Sequence, residues 1–234
     1  MMSADRSRAR ALAQRYVAQG DSTGWFEALY AEAQRGAAAI PWADLQPNPN
    51  FVSWLDSSDL VRRGGKALKV GCGLGDDAEE LARRGFETTA FDISPTAVAM
   101  ARQRFPHSKV DYRIADLLNS PTEWRKNFDF VLEAYTLQVL PPPERLQAID
   151  RIAGFVADGG SLLVITRGRD ASEDSGRMPW PLTKEELLRF ESGGLEILGI
   201  MDYVDAEDPP VRRFRALFRR PGPAYDPSRN ERES

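Results

Sequence analysis

The stretch Val70-Gly71-Cys72-Gly73-Leu74-Gly75 constrains this chain more than any other. It follows a short apolar run, Ala67 to Val70, and precedes an acid-led segment from Asp76 to Arg84 that reads as a helix. Glycines in alternate positions between a strand and a helix permit a tight turn and let a ligand approach the backbone closely. Asp76 and Asp77 suit the start of the helix, and Gly85 suits its end. A turn of this kind belongs to a sheet in which strands alternate with helices.

The rest of the chain repeats that alternation. Glu87 to Phe91 reads as a strand ending at Asp92. Ser94-Pro95 opens the next helix, with serine as cap and proline at the first helical position, and Pro106 follows its end. Val110 to Ile114 is a third strand, followed by Asp116, and Phe128 to Leu132 is a fourth, ending at Glu133. Glu144 to Val156 has an apolar face of helical period. Gly159-Gly160 is expected to turn the chain into a fifth strand, Ser161 to Thr166. Thr183 and Glu186 form a capping box, and Leu195 to Tyr203 and Val211 to Arg220 supply two last strands. The expected class is α/β, a seven-stranded, mostly parallel sheet flanked by helices.

The 234 residues suit one domain with an added element. Residues 1–60, rich in aromatics, read as an N-terminal helical unit; residues 61–220 hold the alternating part; residues 221–234 read as a disordered tail. One cysteine (Cys72) and one histidine (His107) build neither a disulfide framework nor a zinc site of the usual kind, so no metal is expected. No apolar run is long enough to cross a membrane, and Met1 to Arg10 is too charged for a signal peptide, so a cytoplasmic location is expected. A net charge of −4 argues against nucleic acid. The arginines at 212, 213, 215, 219 and 220 alternate with Phe214, Ala216 and Phe218, as in a strand with one wet face. The expected partner is a small molecule, with the chain a monomer or homodimer.

Asp92 lies 21 residues after Gly71, at the end of the next strand. That is the place for a carboxylate accepting both hydroxyls of a ribose. The ligand is therefore read as a nucleoside derivative. A dinucleotide needs a third glycine where its pyrophosphate rests on the helix start, and here that position is Asp76, followed by Asp77. Two acids favour a ligand that is cationic and lacks phosphate. S-adenosylmethionine (SAM) is both. A nicotinamide-dependent oxidoreductase and a non-catalytic nucleoside-binding module are the alternatives.

Val-Gly-Cys-Gly-Leu-Gly-Asp-Asp, Phe-Asp-Ile-Ser-Pro and Ala-Asp-Leu-Leu together resemble the SAM-dependent methyltransferases of Rossmann-like fold. The resemblance implies that Gly71, Cys72, Gly73 and Gly75 cradle SAM, with Gly71 and Gly73 facing its methionine part. It implies that Asp92 holds the ribose, that Ile93 packs on adenine, and that Asp116 and the Leu117 backbone meet the adenine amino group. It places Glu133 at the end of the fourth strand, where the methyl faces its acceptor. Most such enzymes carry an acid in the strand before the glycines, where this chain has Lys69. Gly24-Trp25-Phe26-Glu27 and Ile40-Pro41-Trp42-Ala43-Asp44 further resemble the lid of thiol/halide methyltransferases and of thiopurine S-methyltransferases. In that group Trp25 and Trp42 would wall the cofactor site, and Gly176 to Pro181, with Trp180, would stand at the substrate loop.

A soft acceptor fits a chain with no Ser/His/Asp arrangement. A thiol is partly ionised at neutral pH and intrinsically nucleophilic, and a halide needs no base. A thiol is the expected acceptor; a halide comes next, then a carboxylate, amine or hydroxyl. Arg167, at the end of the fifth strand, is read as a cation that favours the thiolate. Tyr135 and Trp180 are read as facing the acceptor. Cys72 is read as a small buried residue, and His107 as a surface residue.

Overall fold

The computed structural model describes residues 6–58 and 64–222. Three helices come first: α1 (Ser7–Ala18), α2 (Gly24–Gln34) and α3 (Pro49–Ser57). The α3 start is dictated locally. Pro49 takes the first helical position, and the Asn48 side chain accepts the Asn50 N–H at 2.9 Å. The boundary expected at residue 60 falls outside the described residues, as does the expected tail from residue 223 onward. Residues 221 and 222 have no regular structure.

The alternating part follows as β1 (Lys66–Val70), α4 (Asp76–Arg83), β2 (Glu87–Asp92), α5 (Pro95–Arg104), β3 (Asp111–Ile114), β4 (Phe128–Ala134), α6 (Pro142–Phe155), β5 (Val156–Arg167), α7 (Lys184–Leu188), β6 (Glu196–Val204) and β7 (Arg212–Arg219). The strands form one seven-stranded sheet in the order β3-β2-β1-β4-β5-β7-β6. All pairings are parallel except those of β7, which runs antiparallel to both β5 and β6. The α/β sheet expected from the sequence is thus present, with each expected strand in place.

One boundary differs clearly. β5 begins at Val156, not at Ser161, because the glycine pair makes an irregularity within the strand. Val156 pairs with Phe128, and Ser161 pairs with Phe130, so extra residues bulge out between the two points.

Side chains alternate across the sheet as strand geometry requires. Leu68, Val131, Leu162 and Val164 face one core, where α6 contributes Ile149, Ile152 and Phe155. Ala67, Phe130, Leu132, Leu163 and Ile165 face the other, where α3 contributes Phe51 and Leu55 and α4 contributes Leu81. Each large apolar side chain so buried stabilises the fold by about 1.5–3 kcal/mol.

The reversal of strand order lies between β1 and β4. Chain connections run outward on either side of it, which opens a crevice above the carboxyl ends of these strands. The glycine loop fills one wall of that crevice. Gly75 caps α4 with φ +95°, and a Cβ there would lie 2.4 Å from the Tyr112 hydroxyl, so only glycine fits. Among the described residues no helix is long and apolar enough to cross a membrane.

Candidate active site

A cavity of about 820 Å³ opens at that crevice. Its floor is the sheet end: Lys69 to Leu74 from β1 and the glycine loop, Phe91 to Ile93 after β2, Ala115 to Leu118 after β3, and Ala134 to Thr136 after β4. Its roof comes from the N-terminal helices and their connections, with Phe26, Tyr30, Pro41 to Asp44 and Asn48 to Asn50. Its far wall comes from Arg167, Met178, Pro179, Arg213 and the β6–β7 connection.

Asp92 is buried, and both its oxygens are already oriented. Oδ2 accepts the Gly73 N–H at 2.9 Å, and Oδ1 accepts the Ser94 N–H at 3.0 Å. Burial pushes this carboxyl up, while those backbone bonds and Lys69 pull it back part of the way. A carboxylate so held keeps lone pairs for hydroxyls in the cavity. Asp116 is oriented by the same device, Oδ1 accepting the Leu118 N–H at 2.9 Å. Ile93 directly follows Asp92 and Leu117 directly follows Asp116, and both line the same cavity. Gly71, Cys72 and Gly73 line it as expected. Cys72 is buried and its thiol is pushed well up, chiefly by burial, which disfavours the thiolate.

Lys69 explains why a cation is tolerated in β1. It is 3 % exposed, and its Nζ donates to the carbonyls of Val70 at 2.9 Å and Gly71 at 3.2 Å. Asp77 Oδ2 stands 3.8 Å away. Asp77 also accepts the Asn48 N–H at 2.8 Å and so ties the glycine-loop helix to the start of α3. Asp76 is held by Arg104 through two bonds of 2.7 and 2.8 Å. Both acids at the α4 start are therefore paired. Their charge alone excludes a pyrophosphate less strongly than the sequence suggested.

Four residues expected at the site are placed elsewhere. Gly75 caps α4 behind the loop and does not line the cavity. Trp25 is fully buried, stacks on Phe26 at 3.9 Å and packs among α1 side chains. Trp180 packs in the same cluster and donates its backbone N–H to the Gln138 carbonyl at 2.7 Å, leaving Met178 and Pro179 as the wall. Glu133 is buried beneath the site, where its Oε1 accepts the N–H groups of Thr136 at 2.7 Å and Leu137 at 3.0 Å. It shapes the turn after β4 and does not line the cavity.

Trp42, Tyr135 and Arg167 do line the cavity. The Trp42 indole N–H donates to the Tyr30 hydroxyl at 2.9 Å. Tyr135 has φ +69°, an uncommon conformation that throws its ring toward the cavity, where Arg213 lies 4.5 Å from the ring centre. His107 is exposed.

Sequence reasoning missed several residues. Tyr30, Asn50 and Gln138 line the cavity, and the β6–β7 connection adds Asp205 and Glu207. Asn50 donates from Nδ2 to the Tyr135 hydroxyl at 3.3 Å and accepts the Tyr203 hydroxyl at 2.8 Å. Its position as the second residue of α3, directly after Asn48-Pro49, was the available signal. Glu27 was quoted only as part of a lid motif, yet it fastens α2 to α5. It accepts from Ser94 Oγ at 2.6 Å, Thr96 Oγ at 2.6 Å and the Thr96 N–H at 3.1 Å.

Glu133 yields a pH prediction. Its Oε2 is buried without a partner, and burial pushes the carboxyl up to about 7 against the pull of the two N–H groups and Lys69. A raised folded value favours the protonated form. Its contribution to stability is full below the unfolded value near 4.5 and fades as pH rises through about 7, at a cost of roughly 3 kcal/mol. Glu133→Gln is expected to raise the melting temperature by several degrees at pH 8 and to leave it unchanged or lower at pH 5. A thermal scan at both pH values checks this; an equal shift at each would contradict it.

Comparison with known proteins agrees with this geometry. The methyltransferase domain family matches residues 67–160. The ubiquinone biosynthesis O-methyltransferase of Xanthomonas axonopodis pv. citri (strain 306) is 34% identical over 124 residues, 52% of this chain and 51% of that protein. The chain thus spans about half the length of the curated relatives it matches. A protein solved in work on the conversion of a disulfide bond into a thioacetal group during echinomycin biosynthesis superposes with a TM-score of 0.67 at 20% identity, covering 88% of this chain and 95% of that one. The N-methyltransferase NodS from Bradyrhizobium japonicum WM9, in complex with S-adenosyl-L-homocysteine (SAH), superposes with a TM-score of 0.62 at 22% identity, covering 83% and 99%. The chain has the Rossmann-like methyltransferase fold, and its residues 67–160 match the methyltransferase domain family.

Proposed function

We propose that this protein is a SAM-dependent methyltransferase acting on a small molecule, with a thiol as its preferred acceptor. One observation carries the reading. A single cavity joins Asp92 and Asp116, the glycine loop and the Tyr135 turn, so a nucleoside at one end and an acceptor at the other would share one space. Asp92 would hold the ribose hydroxyls, Ile93 and Leu117 the adenine faces, and Asp116 the adenine amino group. Gly71 and Gly73 would meet the methionine part. The bound cofactor would supply an activated methyl on a sulfonium.

The protein's own work is then positioning and exclusion of water, and orientation alone supplies about 7–11 kcal/mol of a displacement barrier. Helices α1 to α3 act as the lid. Trp42 and Tyr30 close the cavity above the glycine loop, and Asn48, through Asp77, sets the α3 end of the lid against it. Tyr135 faces the acceptor. Arg167 adds a positive charge to this end of the cavity, whereas the charge of Arg213 is matched by Asp205 and Glu207.

A second reading has its own support. The curated relatives are named O-methyltransferases, so a phenolic oxygen is the alternative nucleophile. It too reacts as its anion. SAH release from SAM by the purified protein tests both, over a panel of methanethiol, an aromatic thiol, iodide, a catechol and an amine. Turnover of thiols above all others is expected. Turnover confined to the catechol would move the acceptor to oxygen, and failure to bind SAM would overturn the reading as a whole.

A further inference from the structure

Arg213 and Arg167 face each other across the β5–β7 pairing, but their charges are handled differently. Arg213 is buried and met by two carboxylates, Asp205 at 2.6 Å and Glu207. The Arg167 guanidinium, half-buried in the cavity wall, makes no hydrogen bond and no ion pair among the described residues. Its backbone N–H is the group that Gln138 Oε1 accepts, at 2.8 Å. The charged or titratable groups around it are Arg213, Arg6, Glu207 and Tyr135. Two of these four are cations, and Glu207 is already engaged by Arg213. The remaining lining at this end includes Val139, Met178, Pro179 and Pro209, which offer a guanidinium no acceptor from their side chains.

Resting on the methyltransferase reading above, we propose that the methyl acceptor carries a carboxylate, distinct from the atom that is methylated, and that Arg167 binds it. A partly desolvated guanidinium with five fixed donors and no protein acceptor matches a planar two-oxygen anion better than any neutral group. The sheet sets the span. Ala134, where the Tyr135 turn begins, is level with Ile165, so Arg167 stands one strand over and two residues further toward the cavity than Ala134. That offset is on the order of 8 Å, the length of a substituted ring or a short chain. The nucleophile then sits at Tyr135 while the carboxylate sits at Arg167.

Matched pairs of probes test this: 4-mercaptobenzoate against 4-mercaptobenzamide, and 3-mercaptopropionate against 3-mercaptopropionamide. Binding of each is measured by calorimetry to the protein loaded with SAH, and turnover is measured with SAM. The wild type is expected to bind the acid of at least one pair at least tenfold more tightly than its amide. Arg167→Gln should abolish that preference and Arg167→Lys should restore part of it, with SAM affinity unchanged in both. In turnover the loss should fall on KM, with the pH profile of kcat unmoved. Equal binding of acid and amide, binding of neither, or a preference that survives Arg167→Gln would overturn the proposal. A shifted kcat profile with unchanged KM would do so too, because Arg167 would then act on ionisation of the nucleophile. Failure to bind SAM at all strikes the methyltransferase reading, whereas intact SAM binding without acid preference strikes this inference alone.

Discussion

Asp92→Ala is expected to weaken SAM binding by roughly 100- to 1000-fold. A hydrogen bond to a charged acceptor contributes about 1.5–3 kcal/mol, and in the proposed binding mode two ribose hydroxyls would depend on this one side chain. Water entering the gap returns part of that, which keeps the loss below the full sum. The carboxylate has a second duty. It holds the N–H groups of Gly73 and Ser94, so its removal also loosens the glycine loop and the approach to α5. Asp92→Asn separates the two effects, since an amide oxygen retains one acceptor but loses the charge. Affinity should then fall to an intermediate value. Isothermal titration with SAM and with SAH gives the numbers, and the melting temperature without ligand reports the structural share. Wild-type affinity in Asp92→Ala would remove the nucleoside assignment from this end of the cavity.

The features that were legible in the sequence are those written over short distances. The strand–glycine–helix turn, Ser94-Pro95 and the Thr183–Glu186 capping box each depend on neighbours within a few residues, and each is found where expected. The mostly parallel character of the sheet follows from alternation and handed crossovers, which need no long-range detail. The errors share a physical cause. Glu133 looks like a ligand-facing acid because it ends a strand at the sheet's open edge, yet the N–H groups of Thr136 and Leu137 turn back and take it. Trp25 looks like a pocket wall, but α1 covers it, and nothing near Trp25 in sequence announces that helix's approach. The pairing of Lys69 with Asp77 turns an apparent misfit in β1 into a supported cation. The positive φ of Tyr135, which turns it toward the cavity, has no glycine or asparagine to mark it.

Glu27 is the clearest case of a contact that only the fold reveals, for its partners lie 67 and 69 residues away. It carries the second large prediction. Its carboxylate takes three hydrogen bonds at the α5 start, where the positive end of a helix dipole adds to the attraction. Burial pushes the carboxyl up, but the bonds from Ser94 and Thr96 outweigh it and hold the carboxyl below the ordinary range. The same Ser94 caps α5 and lies two residues after Asp92, so the α2 clamp and Asp92 share one short segment. Removing the clamp therefore frees the lid and disturbs the cofactor end together. Glu27→Ala is expected to cost about 2 kcal/mol in stability, after allowing for its part exposure. A lid that no longer closes admits water and misplaces the acceptor, so turnover should fall by roughly 30- to 100-fold, while SAM affinity falls by about tenfold or less. Glu27→Gln keeps an acceptor oxygen and should recover part of both. Because the folded value is depressed, the clamp is at full strength above pH 4.5 and is lost as pH falls below it. Steady-state rates with saturating SAM, set beside binding and melting data, separate the arms. Turnover within twofold of wild type in Glu27→Ala would mean that closure of the cavity does not depend on the α2–α5 contact.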